Sequence, residues 1–213
     1  MKDLERRIVQ ISYDHKLSHL GSCLSAVGII DNIYARKKPD EPFILSSGHA
    51  ALALYTVIEK YEGINAESIF NHHGVHPDRC NRCHIYCSTG SLGQGLPIAV
   101  GMALSNRDRN VYCLISDGEC AEGSIWEALR VRSEQNLKNL KVHVNVNGWA
   151  AYRELDKASL VKSLTKGNGY DICLRPPVIH LTSVEQFPFL KGQDSHYVVM
   201  SENQYEEAME LLK

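Results

Sequence analysis

The sequence has no apolar run approaching the roughly 20 residues that a helix needs to cross a bilayer, which excludes a spanning segment of that kind. It also lacks a surplus of basic side chains. Its 23 Lys and Arg against 25 Asp and Glu leave a formal net charge of −2, so nothing electrostatic draws it to nucleic acid or an anionic membrane. Internal repeats, low-complexity tracts and long linkers are missing as well. The opening residues, MKDLERRIVQISYDHK, are charged and periodic, unlike a secretion signal. The cysteines (Cys23, Cys80, Cys83, Cys87, Cys113, Cys120 and Cys173) are odd in number and dispersed, which argues against a secreted disulfide framework. The expectation is a cytoplasmic chain with reduced thiols. With 44% hydrophobic residues, 213 residues suffice for one substantial core and demand no second, so residues 1–213 read as a single domain.

What is present alternates between helical and strand patterns. Leu4, Ile8 and Ile11 predict an amphipathic helix over 3–16, followed by a turn at Ser18–Ser22 and a helix from about Cys23 to Ala35. FILSS (43–47) reads as a short buried strand, and Gly48 opens a helix from His49 to about Tyr61. Residues 62–89 are rich in His, Cys, Asn and Gly and show no periodicity; loops of that length are often functional. LPIAVGMALS predicts a buried helix whose small residues Gly95, Ala99, Gly101 and Ala103 permit close packing. NVYCLIS (110–116), KVHVNVN (141–147) and VIHLT (178–182) are strand-length apolar runs. Helices are expected over about Ser124–Asn136, Asp156–Thr165 and Glu202–Leu211. Short, unalternating strands between helices imply an α/β class: a doubly wound, mostly parallel sheet with helices on both faces. Ligands of such sheets sit at the carboxyl ends of strands, near the switch point.

Two candidate ends carry chemistry. Asp117-Gly118 follows the strand 110–116, and Asn147 closes the strand 141–147, thirty positions later. A carboxylate, an amide oxygen and a backbone carbonyl make a hard-oxygen set suited to Mg²⁺ or Ca²⁺, and such an ion would clamp a diphosphate that Gly118 lets approach the backbone. The same residues would serve equally as a solvated Asp-Gly turn and a strand-end Asn.

Several motifs together resemble the transketolase family of thiamine-diphosphate enzymes. They are Ser18-His19-Leu20-Gly21, Leu45-Ser46-Ser47-Gly48-His49-Ala50, His76-Pro77, and Ser88-Thr89-Gly90-Ser91-Leu92-Gly93-Gln94-Gly95. Ser116-Asp117-Gly118-Glu119-Cys120-Ala121-Glu122-Gly123 and Trp126-Glu127 follow in the family's order. The likeness runs from about residue 5 to 150 and becomes patchy and shortened beyond it. It implies the thiamine-diphosphate-binding fold, and only the diphosphate-binding (PP-type) domain of it. The pyrimidine-binding domain, with its activating glutamate, would belong to a separate partner subunit, in an assembly expected to be a heterotetramer.

The resemblance also assigns roles. It implies metal ligation by Asp117, Asn147 and the carbonyl of Trp149, with Gly118, Leu92 and Glu119 among the cofactor contacts. His49 matches a histidine near the diphosphate and substrate, and His19 and His76 match histidines of the substrate channel, where imidazoles shuttle protons. His72, His73 or His84 compete for the place of His76. Glu122 and Glu127 match glutamates of the subunit interface, and His196 matches a late histidine at the phosphate end, or else a surface histidine before the last helix. The family's usual Gly before the Asp is Ser116 here, and the His-Gly that would follow His196 is absent. The implied reaction moves a two-carbon ketol unit between sugars or sugar phosphates, with thiamine diphosphate and Mg²⁺. Decarboxylative carboligation of a 2-oxo acid and a non-catalytic scaffold are the alternatives. Cys80, Cys83 and Cys87, with His84, have types and spacing compatible with zinc, and equally with reduced thiols in a covered loop.

Overall fold

The computed structural model describes residues 1–166 and 175–213; Cys173 lies outside the described residues. The chain runs through α1 (Lys2–Asp14), α2 (Leu20–Tyr34), β1 (Phe43–Leu45), α3 (Ala51–Glu62), α4 (Ala66–His73) and α5 (Gly95–Ser105). It continues through β2 (Val111–Ser116), α6 (Gly123–Glu134), β3 (Leu140–Val146), a small hairpin of β4 (Trp149–Ala150) and β5 (Arg153–Glu154), α7 (Lys157–Lys166), β6 (Val178–Leu181) and α8 (Glu202–Leu211). No helix among the described residues is long and apolar enough to cross a membrane.

β1, β2, β3 and β6 form one sheet in that order, and every pairing is parallel. Successive side chains of a strand point to opposite faces, and the core divides accordingly. Phe43, Leu45 and Leu114 face a layer made by α1, α2 and α3, with Ile8, Ile30 and Tyr55 at its centre. Ile44, Cys113, Ile115, Val142 and Val144 face the other layer, made by α5, α6 and α7 through Leu96, Ile125, Leu129 and Leu164. Helices therefore cover both faces, as the apolar strands require. The strand order never reverses, so within this sheet the site is marked by the strand ends and by no switch point.

Three local differences from the sequence-based expectation have physical causes. α2 begins at Leu20, because His19 takes a left-handed conformation (φ 63°) and its N–H donates to the carbonyl of His196 at 2.8 Å. The stretch 62–89 contains a helix, α4, capped by Asn65, whose side chain accepts from the Ser68 N–H at 2.9 Å, and closed by Gly74 at φ 75°. Of the small residues in α5, Gly95 is pressed against Ser46, whereas Gly101 faces open space.

These two glycines give opposite expectations. A Cβ at Gly95 would lie 2.6 Å from Ser46 Cα, so Gly95→Ala is expected to lower the stability of the chain by about 1–3 kcal/mol through overpacking. A Cβ at Gly101 meets nothing within 4 Å, and Gly101→Ala is expected to raise it by up to about 1 kcal/mol. Urea midpoints of the two variants should move in opposite directions; a common shift would contradict this packing.

Candidate cofactor and active site

Asp117 and Asn147 follow the carboxyl ends of adjacent parallel strands. Ser116 pairs with Asn145 in the register, and the Asp117 N–H donates to the Asn145 carbonyl at 2.9 Å. The Asp117 carboxylate is 2% exposed. Its Oδ1 accepts from the Gly118 N–H at 2.9 Å and its Oδ2 from the Gly148 N–H at 2.6 Å. Gly148, at φ 95°, makes the turn that aims this amide. Burial pushes the carboxyl up to about 6, with the backbone amides pulling the other way. Only amides offset its desolvation. A divalent cation would supply the missing charge, and Asn147 Oδ1 lies at the same strand ends, accepting from the Trp149 N–H at 2.9 Å. The donor set fits a hard cation.

Both residues line a cavity of roughly 200 Å³ together with Leu92, Gly118 and Trp149. Ala150 sits across from Gly118, where a Cβ would come no closer than 3.5 Å to it, so the backbone there stays approachable. Four imidazoles complete the wall: His19, His49, His76 and His196. Thus the structure brings together Asp117, Asn147, Trp149, Gly118, Leu92 and all four of these histidines.

Three of these imidazoles crowd together. Ring centroids of His19 and His49 are 5.2 Å apart, and those of His49 and His196 are 6.4 Å apart. Burial, reinforced by the neighbouring imidazoles, lowers His49 to about 3. Burial also lowers His19, with His196 and His76 adding to it. His19 Nδ1 is buried and has no protein partner among the described residues, which leaves it open to a ligand. His196 is buried, not on the surface. Its Nδ1 pairs with Ser22 Oγ at 2.6 Å and its Nε2 lies 3.3 Å from the Trp149 carbonyl. With the Ser22 hydroxyl donating, the Nε2–H donates to that carbonyl, fixing both the ring and the hairpin strand β4. Ser22, an ordinary helix residue in the sequence, is the part of this arrangement that no motif announces.

Three glutamates stand elsewhere. Glu119, expected among the cofactor contacts, is not among the residues that line the cavity. Its Oε1 accepts from Ser46 Oγ at 2.6 Å and from the Gly93 N–H at 2.9 Å, while Oε2 accepts from the Ser116 N–H at 2.9 Å. It is fully buried and ties three segments together. Glu122 and Glu127 are exposed at the start and in the first half of α6, outside the cavity. Glu122 lies against Gly93, where any Cβ would meet its own at 2.7 Å.

The expected zinc set also changes. Cys80 and Cys83 pack against the core layer of α1–α3, but Cys87 packs against the opposite layer, so the three thiols do not converge. His84, exposed and at φ 56°, is not among the groups that converge there either.

Comparison with known proteins accords with this geometry. Residues 29–152 match the family described as "Transketolase, thiamine diphosphate binding domain". Human transketolase-like protein 2 is 36% identical over 148 residues, which cover 60% of this chain and 24% of that protein. A protein of Phocaeicola vulgatus named as one subunit of an apulose-4-phosphate transketolase is 33% identical over 165 residues, covering 67% of this chain and 57% of that protein. The structure of transketolase from Leishmania mexicana superposes over 99% of this chain and 40% of its own, with a TM-score of 0.76 and 17% identity, which shows a shared fold. The chain thus spans about a quarter of the length of the transketolase-like proteins it matches, and more than half of the Phocaeicola protein. With more than half of its residues inside the family match, the chain belongs to the transketolase family, as a thiamine diphosphate binding domain.

Proposed function

We propose that this chain is the diphosphate- and metal-binding subunit of a two-chain transketolase-like enzyme that transfers a two-carbon ketol unit from a ketose to an aldose, as sugars or sugar phosphates. The observation that carries the reading is one cavity holding a buried carboxylate without a cationic partner among the described residues, an amide oxygen on the next strand end, and four clustered histidines. Thiamine diphosphate, when bound, supplies the carbanion chemistry of such a transfer. In this reading Asp117, Asn147 and the Trp149 carbonyl hold Mg²⁺. The carbonyl keeps a lone pair for the ion beside the one facing His196.

The remaining steps belong to the chain's own side chains. Gly118 and Leu92 border the cofactor through backbone groups. His19, His49 and His76 bind sugar hydroxyls and move protons at their ring nitrogens. A neutral imidazole both donates and accepts, so the lowering of His19 and His49 by burial suits them to this work at neutral pH. His196 orients β4. The Phocaeicola relative is itself named as one part of a larger enzyme. A partner chain carrying the family's pyrimidine-binding domain is therefore part of the proposal, as are a heterotetramer, an interface role for the exposed Glu122 and Glu127, and a cytoplasmic setting that keeps the cysteines reduced.

Three outcomes test it. Asp117→Asn, reconstituted with the partner, should lower cofactor-dependent turnover by more than about 100-fold, beyond what loss of a contact behind the metal ligands costs. Turnover at the wild-type level would sink the assigned clamp. The chain alone should show no ketol transfer from ketoses in a coupled assay; measurable turnover would refute the need for a second polypeptide. The third concerns pH. His49 is lowered in the folded state, so its contribution to stability is full above the unfolded value of about 6.5 and is lost as pH falls towards about 3. Between pH 7 and pH 5 the wild type should lose up to about 2 kcal/mol that His49→Gln retains. Urea unfolding at the two pH values measures this, and equal losses would contradict a buried neutral imidazole.

A further inference from the structure

The sequence between α4 and α5 is dense in metal-ligating side chains that the cavity does not use. His72 and His73 occupy the last turn of α4, which Gly74 ends at φ 75°. Their rings stand 4.5 Å apart, edge to face. The chain then swings through His76 and Pro77 and returns at Cys80, where a two-residue bridge forms: the Cys80 N–H donates to the Ile85 carbonyl and the Ile85 N–H to the Cys80 carbonyl, each at 2.9 Å. Inside that bridge lies the turn Cys80-Asn81-Arg82-Cys83-His84, with His84 at φ 56° immediately after the second cysteine. Both thiols of this turn pack against the layer made by α1, α2 and α3.

These two pieces meet. One ligand atom from each of His72, His73 and Cys80 lies within 4.8 Å of the others, and the Cys83 Sγ lies 3.4 Å from His73 Nε2. With Zn–S near 2.3 Å and Zn–N near 2.0 Å, a tetrahedral site holds its donor atoms about 3.3–3.8 Å apart. The His73–Cys83 distance is already at that spacing. The separations among His72, His73 and Cys80, at most 4.8 Å, need closure of about 1 Å, and Cys83 joins that group from beside His73 by rotation of its own side chain; all four side chains are half-buried or exposed and free to adjust. Two sulfurs and two nitrogens in such a set select zinc over magnesium or calcium, which prefer oxygen.

We propose that His72, His73, Cys80 and Cys83 form a structural zinc site that clamps the loop bearing His76 to the end of α4. This does not depend on the cofactor reading above. On binding, two thiols lose their protons to solvent, and two thiolates with two neutral imidazoles leave a neutral Zn²⁺ centre. Four protein ligands close the coordination sphere, so the site anchors and does no chemistry. Its mechanical consequence follows from the connectivity. His76 lies between the two pairs of ligands, and its ring rests where a Gly90 Cβ would come within 2.9 Å. The Thr89 N–H donates to the Pro77 carbonyl at 3.0 Å, and the Arg79 N–H to Ser88 Oγ at 2.9 Å. On the helix side, Tyr55, fully buried, donates its hydroxyl to the Gly74 carbonyl at 3.2 Å. Zinc would join these two halves, giving an otherwise exposed histidine a fixed place on the cavity wall.

The test is metal content and coordination in the full chain. After reconstitution with zinc and exhaustive dialysis, elemental analysis should find about one zinc per chain in the wild type and in Cys87→Ser. Cys80→Ser and Cys83→Ser should each retain less than a tenth of that. Cobalt substitution of the wild type supplies a readout that survives misfolding of those variants: visible bands of tetrahedral cobalt with a thiolate charge-transfer band support the site. An octahedral spectrum without charge transfer overturns it. So do a metal-free wild type whose Cys80 and Cys83 react freely with a thiol reagent, a Cys80–Cys83 disulfide in the purified protein, and zinc lost on Cys87→Ser but kept on Cys80→Ser.

Discussion

The arrangement depends on a carboxylate buried at the end of a parallel strand with no cationic side chain among the described residues to answer it. Taking a charged carboxyl out of water is costly, and two backbone amides recover only part of that cost, which is why Asp117 sits well above the usual carboxylate range. A fold concerned with stability alone would place an apolar residue here, flanked as it is by Ile115 and Cys120. The strand ends converge on this group because parallel pairing sets Ser116 opposite Asn145, which brings the next turn of β2 beside the last residues of β3. The site is thus a product of register. A slip of one residue in that pairing would send Asp117 and Asn147 to different places and Ile115 out of its layer.

A second buried carboxylate shows how the chain satisfies such a group internally. Glu119 receives a hydroxyl from Ser46 and backbone N–H groups from Gly93 and Ser116. Those donors come from the end of β1, from the turn before α5 and from β2, so one side chain fixes the three segments that frame the cavity's floor. The close approach of Gly95 to Ser46 belongs to the same joint. Two residues apart, one carboxylate serves the structure and the other is left facing the cavity.

Much of this is legible in the sequence, and the reasons differ by residue. The strands at 110–116 and 141–147 are apolar on both faces because helices cover both, and that makes them readable without any site. Asp117 and Asn147 stand out for lying just past those strands. Glu119 eludes sequence reasoning because sequence says only that it is acidic and near the site; which way its side chain turns depends on Ser46 and Gly93, distant in sequence. Ser22 is invisible for the same reason, since its partner His196 is 174 positions away. α4 is hidden because eight residues with two histidines have little apolar periodicity, although Asn65 and Gly74 mark its ends. The cysteine cluster reads along the chain as a local set of ligands, whereas the fold sends Cys87 to the opposite layer and substitutes two histidines from the preceding helix.

His19 joins the two halves of the cavity, and its geometry is the least relaxed in it. A non-glycine residue at φ 63° costs about 1–3 kcal/mol, and a buried ring nitrogen without a partner among the described residues costs a similar amount. Both are tolerated because its neighbours over-determine it: its N–H is held by the His196 carbonyl, and its own carbonyl accepts from the Cys23 N–H at 3.0 Å as α2 begins. His196 is in turn held by Ser22, one turn along the same helix, and by the hairpin that follows Asn147. The strand end that bears Asp117 and Asn147 and the imidazole wall are therefore one connected object. In the proposed function a ring held in this way would need no reorganisation to meet a sugar hydroxyl, so the strain at His19 is set against the ordering that a ligand would otherwise have to impose.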